Sequence, residues 1–75
     1  MNPAKPLSAA EVLARNLRRL REQHGLTIDD LSRATGIAAS RLAAIEMATA
    51  QAHLDEVSLL ALGLGVRIAA LFATK

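Results

Sequence analysis

The sequence predicts an all-α fold, five helices in one small domain, and three observations lead there. Apolar residues recur every three or four positions along most of the chain, the period of one helical face. No stretch sustains the apolar–polar alternation that marks a strand. Gly25, Gly36 and Gly65 each close such a series, where a left-handed residue ends a helix at little steric cost.

The first helix opens at Ser8, which with Glu11 three residues on makes a capping box. Leu13, Leu17 and Leu20 are its apolar stripe, and Gly25 closes it after about four turns. Glu11, Arg15, Arg18, Arg19 and Glu22 occupy the opposite side; opposite charges at this spacing usually form a solvated, self-compensating face, the alternative being a phosphate-tracking stripe of Arg15, Arg18 and Arg19. Thr27 and Asp30 repeat the capping pattern, and Asp29 and Asp30 place negative charge in the first turn of a second helix. Leu31 and Ala34 continue that helix to Gly36, and Ile37, Leu42 and Ile45 form a third series. Two short helices hinged at a glycine are the helix-turn-helix pattern, whose second helix enters a DNA groove. Neither is stable alone in water, so flanking helices must cover them. Leu54, Val57, Leu60, Ala61 and Leu64 supply a fourth helix, and Val66, Ile68, Leu71 and Phe72 a short fifth. The expected spans are about 9–24, 28–35, 39–47, 54–63 and 67–73, in a domain of 8–75 behind a flexible tail of 1–7. Lys5 in that tail is a candidate DNA-tracking arm, with plain disorder the commoner state of such termini.

From about Leu13 to Phe72 the sequence resembles the phage-repressor-like helix-turn-helix family, the Cro/repressor or XRE type. The likeness is carried by Leu20-Arg21, Gly25-Leu26-Thr27, the turn residue Gly36, and Leu42-Ala43-Ala44-Ile45-Glu46, then by Ala61, Leu64, Gly65 and Val66. The resemblance implies a five-helix lambda-repressor-like bundle and an Arg21–Glu46 ion pair that braces the first helix against the recognition helix. It implies base-reading positions at Ala38, Ala39, Ser40, Arg41 and Ala44. Thr27, Arg33 and Thr49 are further candidate DNA contacts, with Arg21 near the backbone.

That reading face is poor in polar groups. Base edges are read by side chains that match the groove's donors and acceptors, and here only Ser40 and Arg41 can hydrogen-bond. The alanines can offer methyl contact to thymine. Arg41 is expected to face outward as the principal contact; a bidentate bond to guanine is worth about 1–3 kcal/mol of discrimination. On the sequence alone, the regulator reading ends if that helix is tucked inward or if Arg41 is occupied by carboxylates of its own chain. Relatives often carry a phosphate-binding Gln at the position of Ile28, and an Arg-Gly-Lys-like run where Met47, Ala48 and Thr49 stand.

Composition sets outer bounds. Nine Lys and Arg against seven Asp and Glu give a net charge of +2 over 75 residues, which permits a polyanionic partner without requiring one. The absence of cysteine excludes disulfides and thiolate chemistry. His24 suits a helix C-terminus and His53 lacks a second metal ligand, while Asp29/Asp30 and Asp55/Glu56 sit at helix starts as caps. No catalytic, metal or cofactor site is expected. Residues 59–72 are too short for a membrane span and carry Arg67, so a cytoplasmic protein is expected. Leu54, Val57, Leu60, Leu64, Ile68 and Leu71 suffice for a core. Leu59, Leu62, Ala69, Ala70 and Phe72 are then either an exposed dimer interface or buried by a slightly rotated helix. The functional expectation is a homodimeric transcriptional repressor on a palindromic double-stranded DNA operator. The alternative is an antitoxin-like or accessory module that binds a protein partner through the apolar C-terminal surface.

Overall fold

The computed structural model describes residues 7–74, which form five helices and no strand. These are α1 (Ala9–Gln23), α2 (Ile28–Thr35), α3 (Ala39–Glu46), α4 (Leu54–Leu64) and α5 (Ile68–Leu71). The all-α, five-helix expectation is thus the observed architecture. The expected tail falls outside the described residues apart from Leu7, which is exposed.

Local chemistry starts the first two helices as their sequences require. Ser8 Oγ accepts from the Glu11 amide at 3.2 Å, and the Ser8 amide donates back to Glu11 Oε1 at 2.9 Å. Thr27 and Asp30 make the same reciprocal pair at 3.0 and 2.9 Å. Gly36 ends α2 with φ of 77°, a left-handed conformation that an L side chain resists.

The core sits where the helices converge. α1 packs on α3 and α5, α2 on α3 and α4, and α4 on α5. Leu17, Leu31, Leu42, Leu60 and Leu71 are wholly buried at its centre. α2 and α4 approach closely at Gly63, where a Cβ would stand 2.8 Å from the Thr35 methyl. This crossing explains one departure from expectation. Val57, Leu60, Ala61 and Leu64 are buried, but Leu54 is 77% exposed, because α2 covers α4 well beyond its first turn. Ala34 is exposed as well; Thr35 is the buried residue of that turn, its hydroxyl donating to the Leu31 carbonyl at 2.8 Å.

α5 is a single turn, shorter than the expected 67–73. The buried Asn16 of α1 donates from Nδ2 to the carbonyls of Leu71 at 2.9 Å and Ala73 at 2.7 Å. These carbonyls are satisfied without a further helical turn. Leu71 is the buried residue of this element, and Ile68, expected in the core, faces outward. The tight α2–α4 crossing makes Gly63→Ala an overpacking substitution, expected to cost about 1–3 kcal/mol. Denaturant unfolding of the two proteins checks this; because alanine gains about 1 kcal/mol of helix propensity over glycine, a midpoint raised by the substitution is the result that would contradict the close approach.

Candidate nucleic-acid interface

The α2–α3 turn sets where α3 points. The Gly36 amide donates to the Ser32 carbonyl at 2.8 Å, and Ser32 Oγ donates to the Ile37 carbonyl at 2.6 Å. The Ile37 amide donates to Thr35 Oγ1 at 3.2 Å. Ile37 itself is buried, so the turn is tied to the core as well as to α2. From there α3 buries Leu42 and Ile45. Ala38 and Ser40 are exposed, and Ala39, Arg41 and Ala44 half-buried.

Arg21 fixes the far end of α3. Its Nε donates to Glu46 Oε2 at 2.6 Å, Nη2 to Glu46 Oε1 at 3.0 Å and Nη1 to the Leu26 carbonyl at 2.8 Å. The side chains are 14% and 6% exposed. A two-pronged pair of this kind holds both position and rotation of the helix.

Arg41 corrects the sequence reading. It was expected to stand outward as the principal base contact, yet Nε donates to Glu56 Oε2 at 3.0 Å and Nη2 to Glu56 Oε1 at 2.9 Å. Nη2 also donates to the Gln51 carbonyl at 2.7 Å. The physical reason is that Glu56 is doubly placed. Its Oε1 caps the start of α4 by accepting from the His53 amide at 2.7 Å, and this brings its carboxylate beside α3. Bonding to Arg41 and to that amide holds the Glu56 carboxyl down from 4.5 to about 2.

The other candidate contacts are dispersed around this helix. Thr27 caps α2 with its hydroxyl. Arg33 is exposed and reaches Asp30 of its own helix at 2.6 Å. Thr49 is exposed, its hydroxyl donating to the Ala44 carbonyl at 3.1 Å. Ala48, just past the end of α3, has φ of 58°, a conformation costly for a residue with a Cβ. Ile28 is half-buried and packs on the core.

On α1, Arg18 meets Glu22 at 3.7 Å and Arg19 donates to Asn16 Oδ1 at 3.2 Å. Arg15 donates to the Ala73 carbonyl at 3.2 Å. Leu59, Leu62, Ala69 and Phe72 are exposed and Ala70 half-buried, so the chain by itself does not bury this set. Among the described residues no group of His, Cys, Asp and Glu could hold a metal ion. No described helix is long and apolar enough to cross a membrane.

Sequence reasoning missed Asn16, Thr35 and the second task of Glu56. Asn16 left a signal, a polar residue inside the buried arc of Val12, Leu13, Leu17 and Leu20. Glu56 left a weaker one, because the capping pattern already accounted for it.

Comparison with known proteins supplies the family. A family model described as helix-turn-helix matches residues 17–71. Among solved structures, the restriction-modification controller protein C.AhdI from Aeromonas hydrophila is similar at a TM-score of 0.81 and 25% identity, over 84% of this chain and 96% of that one. A hypothetical transcription factor, NHTF, from Neisseria is similar at 0.85 and 28% identity, over 97% of this chain and 87% of that one. An HTH_3 family transcriptional regulator from Vibrio cholerae is similar at 0.84 and 27% identity, over 89% of this chain and 38% of that one. No curated protein matches.

Two outcomes follow from the ion pairs. Glu46→Gln leaves Arg21 without its counter-charge in a poorly solvated site and is expected to lower stability by about 3–5 kcal/mol; an unchanged melting curve would contradict a structural role. For Glu56 the folded pKa is depressed, so its stabilisation is present above pH 4.5 and is lost as pH falls toward about 2. Acid titration of the unfolding midpoint reads this loss, and Arg41→Ala should shrink it.

Proposed function

The chain belongs to the helix-turn-helix family of phage-repressor type, a family of DNA-binding transcriptional regulators and not of enzymes, and from that premise we propose a dimeric, sequence-specific repressor. The observation that carries the proposal is a braced α3 with Ala38 and Ser40 exposed beyond its buried face. On this reading Ser40 bonds a base edge, and Ala38, Ala39 and Ala44 offer methyl contact to thymine. Thr27, Arg33 and Thr49 meet phosphates, which position a protein without specifying sequence. Arg21, with Nε and both Nη groups engaged inside the protein, serves binding by holding α3.

Dimerisation is proposed through Leu59, Leu62, Ala69, Ala70 and Phe72. Two copies related by a two-fold axis present two α3 helices, and a palindromic operator places its half-sites one turn, about 34 Å, apart. Such a protein works in the cytoplasm. The protein-interaction reading stays in view for one observation: the sole cation of α3 is already occupied by Glu56.

Labelled duplexes titrated across a salt series separate the two. A repressor should lose affinity steeply with salt and hold a selected site at least ~10³-fold more tightly than random DNA. Its mass should be that of a dimer in sedimentation at binding concentrations. Weak, unselective binding by a monomer would sink the proposal and leave the protein-interaction module.

A further inference from the structure

α3 carries two charged side chains, and each is neutralised from outside the helix. Arg21 of α1 takes Glu46, and Glu56 of α4 takes Arg41. The two forks are not equivalent. The Arg21 fork is nearly buried, with Nη1 also engaged by Leu26. The Arg41 fork lies at the rim, its side chains 31% and 16% exposed. Among the described residues no hydrogen bond engages Nη1 of Arg41.

The acceptors on Arg41 are the telling part. A carboxylate takes Nε and Nη2 side by side, and a carbonyl takes Nη2 again. These are the same classes of oxygen that DNA offers to an arginine, a bidentate anionic group and a carbonyl on a base edge. A phosphate arriving at α3 must therefore compete for N–H groups that are already paired. Success would leave the Glu56 carboxylate without its cation beside a polyanion. A neutral Arg41–Glu56 pair also releases no counterion, which lowers the electrostatic share of binding.

We propose that Glu56 limits DNA affinity: it stands in for a nucleic-acid oxygen and keeps Arg41 out of the groove, so that removing its charge turns Arg41 into a contact. The inference rests on the regulator reading above and adds the residue that sets its strength. Glu56→Gln suits the test because glutamine can still accept from the His53 amide and so keep the α4 cap.

A labelled random-sequence duplex is titrated with wild type, Glu56→Gln, Arg41→Ala and the double variant at several salt concentrations, with folding checked by circular dichroism. Glu56→Gln should bind about tenfold more tightly, the scale of one added charge-assisted contact. Its log–log salt slope should steepen by about 0.9, the increment for one neutralised phosphate. Arg41→Ala should cost little in the wild-type background and most of the gain in the Glu56→Gln background. Equal or weaker binding by a folded Glu56→Gln, or the same cost of Arg41→Ala in both backgrounds, overturns the proposal. Should Glu56→Gln fail to fold, Arg41→Ala alone decides, and a tenfold loss from wild type would mean that Arg41 already touches DNA. Wild-type binding with an unresponsive Glu56→Gln ends this inference only; no binding by either protein ends the regulator reading as well.

Discussion

The fork between Arg21 and Glu46 is the interaction on which the rest of the molecule depends. α3 spans only Ala39–Glu46, and a helix of that length has no stability of its own in water. Leu42 and Ile45 seat it on the core, but two apolar contacts leave rotation about its axis loosely determined. A planar guanidinium gripping both oxygens of the last residue, and anchored in turn to the Leu26 carbonyl, removes that freedom. At the other end the Ser32, Thr35 and Gly36 bonds fix the entry. Which side chains face outward on α3 follows from these two restraints together with the Arg41–Glu56 fork.

The electrostatic consequence is a helix whose charges are spent within the protein. Arg41 and Glu46 both have partners on other helices, and the remaining outward groups are one hydroxyl and several methyls. Such a surface gains from shape and apolar contact rather than from point charges. Basic charge on α1 adds less than its number suggests, since Arg18 faces Glu22, and Arg15 and Arg19 are drawn into bonds around Asn16 and Ala73. With Arg41 held by Glu56 of its own chain, the condition that ends the sequence-based regulator reading is met. DNA-binding regulation therefore stands on the family match, and under the proposed function any base discrimination by α3 would rest on Ser40 and the alanines.

The fold was legible in the sequence because it is written in local, repeated signals. Ser8 with Glu11, Thr27 with Asp30, and the glycines at 25, 36 and 65 each specify a helix end within four residues. The Arg21–Glu46 pairing was legible only through family resemblance, since nothing local relates residues 25 positions apart. What escaped was non-local and doubly determined. Glu56 satisfied a capping pattern, which hid that the same carboxylate could reach α3. Leu54 fitted the apolar period of α4, but its burial depended on where α2 crosses, a point set by Gly63 and Thr35. Periodicity says which face a residue is on. It does not say how far the covering helix extends.

α1 links the two ends of this arrangement. Its last-turn Arg21 holds α3, while Asn16, little more than a turn earlier, holds the carbonyls of Leu71 and Ala73. Both grips are made by planar side chains with two or more hydrogen bonds, so both leave little rotational slack. The orientation of the C-terminal apolar face relative to α3 is therefore carried by α1, a helix of 15 residues, together with the Arg41–Glu56 fork from α4. In a two-fold dimer built on Leu59, Leu62 and Phe72, the separation of the two α3 helices would be set through those two connections. A loosened Asn16 would then alter half-site spacing tolerance before it altered base preference, because the side chains on α3 would keep their own restraints.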